Sequence, residues 1–278
     1  MHSQQPVPNK RPPPIAELRL FDTDHDTHAL SRKTILGDGT YRLFLAIPRT
    51  APPAAGFPIL YLLDGNAVFD LLTSEQLASA NGVILAGIGH DTDRRFDPPS
   101  RSRDYTPSFD KRAPFPDPDR PDRLIGGAEQ FLRRLAGPLM KATEANAPVD
   151  PARRIIFGHS LAGMFALYAM LKIPGVFRRF FAASPSLWWG DEILLKMETQ
   201  TPRSKVTSDV LITLGDSERR SSPRGPHWDG PAPHTLEMIR RLQDRENLNV
   251  ASHIFKGLGH AATLEASIPL ALEFSASG

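Results

Sequence analysis

The stretch Ile155-Ile156-Phe157-Gly158-His159-Ser160-Leu161-Ala162-Gly163 decides how the rest of the chain is read. Its first residues are apolar and suit a buried strand, and the Ala-, Leu- and Met-rich run from Ser160 to Lys172 suits a helix. Between them a serine sits among small residues, Gly158 before it and Ala162-Gly163 after it. Strand, cramped turn and helix with a serine at the bend form the nucleophile elbow. The strained turn tolerates only small neighbours and lifts the hydroxyl to a helix N-terminus, where the dipole favours negative charge. The N–H of Leu161 is then placed to meet a developing oxyanion. Ala162 departs from the usual G-x-S-x-G glycine, but alanine is small and Gly163 follows at once. The plainer alternative, Ser160 as N-cap of a buried helix, uses the same residues.

Strands and helices alternate outward from the elbow. Strands are expected at Tyr41–Ile47, Ile59–Leu63, Gly82–Ile88, Arg154–Phe157, Phe180–Ala183, Val210–Leu214 and Val250–Phe255. Helices are expected near Ala67–Ser79, over Gly127–Thr143 with a kink at Pro138, over Thr235–Gln243 and over Ala261–Ser275. This order predicts an α/β fold of the α/β-hydrolase kind, with a mostly parallel central sheet covered by helices on both faces. The run from Gly89 to about Asp122, dense in Arg, Asp and Pro, reads as a long irregular segment, and Ser184–Gly190 as a loop. Residues 1–14 read as a flexible proline-rich lead-in and 15–278 as one domain.

With 278 residues, 40% hydrophobic, the chain is long enough to bury one sizeable core. A net charge of +2 gives no footprint for nucleic acid. The absence of cysteine removes disulfides, thiolate metal sites and a cysteine nucleophile. No apolar run suits a membrane span, and the first residues lack the core of a signal peptide. The periplasm is expected for a trimmed chain and the cytoplasm otherwise. No metal and no cofactor are expected.

In this fold the catalytic order is serine, acid, histidine. His260 closes the glycine-bearing loop Lys256-Gly257-Leu258-Gly259 after the last strand, where an imidazole takes the Ser160 proton and returns it to the leaving alcohol. His159 neighbours Ser160 only in sequence and is given a packing role. His253 lies in a strand, His25, His28 and His90 precede the elbow, and His227 sits in a Pro/Gly loop as a weaker base or a pocket residue. After Val210–Leu214 come Asp216 and Glu218. Glu218 is preferred for its reach, and Asp216 stays open. The second oxyanion donor is expected from the turn Asp64-Gly65-Asn66, through Gly65 or Asn66.

Several segments together resemble the bacterial siderophore esterases that cut enterobactin-type catecholate trilactones, within the wider esterase group that includes esterase D. They are YLLDGNAVF (Tyr61–Phe69), RSRDYTP (Arg101–Pro107), GGAEQFLRRLAGPL (Gly126–Leu139), FGHSLAGMFALYAM (Phe157–Met170), AASPSLWW (Ala182–Trp189), LGDSE (Leu214–Glu218) and GLGHAATL (Gly257–Leu264). The resemblance implies a carboxylic ester hydrolase with Ser160 and His260 as catalytic pair, Glu218 in the acid position, and a substrate bordered by Arg101–Pro107. A ferric tris-catecholate is a trianion, and arginine suits delocalised oxyanions and aromatic faces. Arg94, Arg95, Arg101, Arg103 and Arg112 lie in the long segment, with Arg101 and Arg103 jointly the expected substrate contacts. Asn66 and Trp188 complete the expected binding set, one of Trp188 and Trp189 being core. The partner expected is a small-molecule ester, with no nucleic acid and no membrane insertion. A general carboxylesterase or thioesterase, or a non-catalytic siderophore-binding protein on the same scaffold, are the competing readings.

Overall fold

The computed structural model describes residues 12–277, apart from 38, 111 and 221–226. In chain order its elements are β1 (His28–Ile35), β2 (Tyr41–Pro48), β3 (Phe57–Leu63), α1 (Gly65–Leu71), α2 (Ser74–Ser79), β4 (Ile84–His90), α3 (Pro98–Tyr105), β5 (Phe115–Asp117), β6 (Arg120–Ile125), α4 (Ala128–Arg134), α5 (Met140–Glu144), β7 (Val149–His159), α6 (Leu161–Lys172), β8 (Arg179–Ala183), α7 (Trp189–Gln200), β9 (Ser208–Gly215), β10 (Arg219–Arg220), β11 (Trp228–Asp229), α8 (Pro233–Gln243), β12 (Leu248–Phe255) and α9 (Ala262–Ala276).

Eight strands form one sheet in the order β1-β2-β4-β3-β7-β8-β9-β12. β1, β2 and β4 pair antiparallel, and every pairing from β4 to β12 is parallel. Parallel neighbours need crossovers that cover both faces, which is why β3 and β4 are buried at every position and read as unbroken apolar runs. Alternate side chains feed two cores. Tyr61, Ile156 and Phe180 face the core built on α6, whereas Leu60, Leu62, Phe157 and Phe181 face the one that takes in α1 and α9.

Several elements depart from the sequence expectation for identifiable reasons. The helix expected over Ala67–Ser79 is two helices, because Thr73 and Gln76 close a capping box that starts α2. The segment expected to be irregular holds α3, opened by Asp97 as N-cap and Pro98 in the first turn, and the β5–β6 ribbon. Its charge density hid both. Pro138 sits in a π-helical turn, Leu135–Leu139, between α4 and α5, where the widened turn accommodates a residue without an N–H. The expected loop gives way to α7 at Trp189, through a left-handed run at Gly190, Asp191 and Glu192. β1 escaped notice because its side chains are mostly exposed and show no period. Of the expected lead-in, residues 1–11 lie outside the described residues. Pro13 and Pro14 are held by their carbonyls, which accept from Arg94 Nη1 and Arg95 N.

Candidate active site

The strand ends bring the chemistry together on one edge of the sheet. Ser160 joins β7 to α6 with φ 61° and ψ −119°. A Cβ on Gly158 would lie 2.2 Å from the carbonyl oxygen of Ala162, and one on Gly163 would lie 3.0 Å from that of Ala183. The elbow therefore demands glycine at 158 and tolerates little at 163, while Ala162 packs fully buried. Leu161 opens α6, so its N–H has no carbonyl to bond within the helix.

β12 and the turn at Gly257 deliver His260, whose Nε2 is 3.0 Å from Ser160 Oγ. Glu218, buried just beyond β9, sets Oε2 3.5 Å from His260 Nδ1. Its other oxygen accepts from Ser184 Oγ at 2.6 Å and from Gly215 N at 3.0 Å. Burial opposes ionisation of Glu218, but the bonds from His260, Ser184 and Gly215 outweigh it and leave the carboxyl below its ordinary value. Asp216 is engaged elsewhere: it accepts from Gly257 N at 2.6 Å and from Ser217 Oγ, and so pins the turn that leads to His260.

His159 supports His260 from beneath. It donates Nε2–H to the His260 carbonyl at 2.9 Å, and the ring centroids are 5.0 Å apart. Burial, and then the neighbouring His260, push its pKa down to about 3 against the opposing pull of that hydrogen bond. The imidazole is therefore neutral at ordinary pH. Thr263 Oγ1 lies 2.7 Å from Ser184 Oγ and 2.7 Å from the His260 carbonyl, which ties the Glu218 segment to the His260 segment.

The turn expected to supply an oxyanion donor follows β3. Asp64 adopts φ 55°, and Gly65 begins α1 so close to β4 that a Cβ would lie 2.6 Å from the Gly87 carbonyl carbon. Arg101 Nε donates to both Asp64 oxygens at 2.9 Å, and its Nη2 is 3.5 Å from the His159 carbonyl. The same guanidinium packs on Phe96, 4.9 Å from the ring centroid. Arg101 thus fastens the Asp64-Gly65 turn to the elbow.

The other expected binding residues divide. Arg103 is not at the site: it donates to both oxygens of Asp104, a fully buried carboxylate that also binds Tyr41 and His90. Residues two apart on a helix lie about 200° apart around its axis, so Arg101 and Arg103 on α3 cannot face one ligand together. Asn66 is buried, its amide donates to the Thr92 carbonyl at 2.9 Å, and its side chain fills space left by Gly89. Its side chain is a fastening of α1, not a ligand contact. Arg94 bonds Pro13, Arg95 bonds Asp70 and Arg112 bonds Asp110. Trp189 packs against the core, and Trp188 is half-buried. His227 and His253 are exposed.

Sequence reasoning missed Ser184 and Ser186. Both lie in the quoted AASPSLWW segment at the end of β8, and that position was the available signal. Ser186 Oγ is 3.1 Å from Ser160 Oγ, and its N–H bonds the Ser160 carbonyl.

Known proteins resemble this chain in sequence and in fold. The Esterase family model matches residues 36–224. The chain is 34% identical to the apo-salmochelin esterase of Escherichia coli, over 84% of this chain and 75% of that protein. It is 31% identical to the ferri-bacillibactin esterase BesA of Bacillus subtilis, over 85% of this chain and 84% of that protein. The solved structure of the enterobactin and salmochelin hydrolase IroE superposes with a TM-score of 0.75 at 28% identity, over 92% of this chain and 98% of that one. The fold is that of the α/β-hydrolases, and the chain belongs to the Esterase family.

Proposed function

We propose that this esterase hydrolyses the lactone bonds of a catecholate siderophore by acyl transfer through Ser160. The observation that carries the reading is the 3.0 Å contact between Ser160 Oγ and His260 Nε2 at the end of a parallel sheet. Ser160 Oγ attacks a lactone carbonyl as His260 Nε2 takes its proton. The N–H groups of Gly65 and Leu161 receive the oxyanion. As the tetrahedral intermediate collapses, His260 returns the proton to the leaving alkoxide oxygen, and an acyl-enzyme remains. Water, deprotonated by His260, then releases the acid and restores the serine. Glu218 holds the Nδ1–H tautomer of His260 and stabilises the imidazolium.

The substrate class is supported by the names of the relatives, esterases of salmochelin and bacillibactin. The reading treats the chain from Ile15 onward as one domain, since all five site segments leave strand ends of one sheet. Arg101 and Trp188 border the bound substrate, and iron arrives as the substrate's cargo. Mass analysis of products after incubation with ferric and iron-free catecholate trilactone tests the reading. Linear dihydroxybenzoyl-serine products are expected. Recovery of intact lactone alongside cleavage of simple p-nitrophenyl esters would overturn the substrate assignment.

A further inference from the structure

The arginine expected to read substrate charge in company with Arg101 is spent on Asp104, yet another arginine stands at the site's edge. Arg220 lies two residues beyond Glu218, on the β10–β11 ribbon, opposite Trp228. Trp188 lies two residues beyond Ser186, the neighbour of Ser160. The acid side and the nucleophile side meet where Arg220 Cζ sits 3.2 Å from the Trp188 ring centroid and 5.9 Å from that of Trp228. Trp228 in turn packs on His234, with centroids 5.6 Å apart.

Three buried polar atoms without a hydrogen-bond partner among the described residues meet here: Arg220 Nε, Trp228 Nε1 and His234 Nδ1. Two of them belong to groups that only donate. The carboxylates of the same segments are engaged, Asp229 by Arg219 at 3.1 Å and Glu192 by His234 at 3.2 Å. Burial alone lowers the Arg220 pKa from its ordinary value, with no carboxylate acting against it. A partly buried cation with an unused Nε–H, walled by two indoles of which one also has an unused N–H, selects an anionic oxygen on a planar aromatic group.

We propose that Arg220, with Trp188 and Trp228, forms a subsite for a deprotonated catecholate arm and makes the enzyme favour the iron-loaded ligand. The inference rests on the siderophore reading above. Free phenols ionise near pH 10, so an iron-free catechol is neutral at pH 7, whereas iron-bound catecholates carry the charge. Arg220 therefore distinguishes the two through charge.

The test compares Arg220→Met and Arg220→Lys with wild type on three substrates at pH 7 and fixed ionic strength: ferric catecholate trilactone, iron-free trilactone and p-nitrophenyl butyrate. For Arg220→Met, kcat/KM on the ferric ligand should fall about tenfold or more relative to the other two substrates, chiefly through KM. Arg220→Lys should keep most of the ferric preference. Equal losses on all three substrates, or Arg220→Lys as poor as Arg220→Met on the ferric ligand, would show a merely structural role and overturn the proposal. An unchanged ferric preference in Arg220→Met would overturn it too. A wild-type enzyme that cleaves the butyrate and neither trilactone would sink the siderophore reading itself, and this subsite with it.

Discussion

At the residue scale the 3.5 Å separation of Glu218 from His260 Nδ1 sets an expectation. A contact at the outer limit of hydrogen bonding orients the imidazole less firmly than a tightly bonded acid, whose amide replacement costs about 10⁴-fold in kcat. Glu218→Gln should therefore lower kcat by roughly 10²-fold, read on p-nitrophenyl butyrate. His159 makes a separate prediction about stability. Its folded pKa is lowered from 6.5 to about 3, so below pH 6.5 the unfolded chain binds the extra proton and the folded chain does not. This contribution is present above pH 6.5 and is lost as pH falls toward 3, by up to about 1.4 kcal/mol per pH unit. Urea unfolding at pH 7, 6 and 5 should show a flatter pH profile in His159→Gln than in wild type.

At the element scale the elbow is a backbone constraint before it is a catalytic one. Gly158→Ala drives a Cβ into the Ala162 carbonyl at 2.2 Å, and rigid backbone on both sides cannot yield cheaply. A loss of about 3 kcal/mol in unfolding free energy is expected, measured by urea titration. Much of the fold was legible because β3 and β4 are apolar runs bounded by turn residues, β7 ends in the apolar Ile155-Ile156-Phe157, and α6 follows that strand at once. The positions of Ser160, Glu218 and His260 were legible because each follows a strand end in the chain order of such sheets. Side-chain partners were not. Which aspartate Arg101 and Arg103 meet, Asp64 or Asp104, depends on the side of α3 each leaves, and α3 itself was masked by its charges. Arg220 and Trp188 come from distant segments with no pattern to link them, so only the folded chain reveals the pairing.

At the scale of the whole molecule, catalysis depends on loops from five strands holding common register. Arg101 is a cross-tie in that assembly, linking Asp64 after β3 to the carbonyl of His159 at the end of β7. Removing one member of a largely buried pair leaves Asp64 without compensation. Arg101→Met should cost about 3 kcal/mol of stability and also lower kcat on the neutral butyrate, because the oxyanion turn loses its tether. A ligand-contact role alone would instead raise KM for anionic substrates and leave neutral ones untouched.

The most direct test of the central claim is covalent labelling with a fluorophosphonate followed by peptide mapping. The account predicts one adduct, on Ser160, formed rapidly in wild type and at least 10³-fold more slowly in His260→Ala, as expected when an activating base is removed. An adduct on a different residue, or labelling of Ser160 at an unchanged rate without His260, would contradict it.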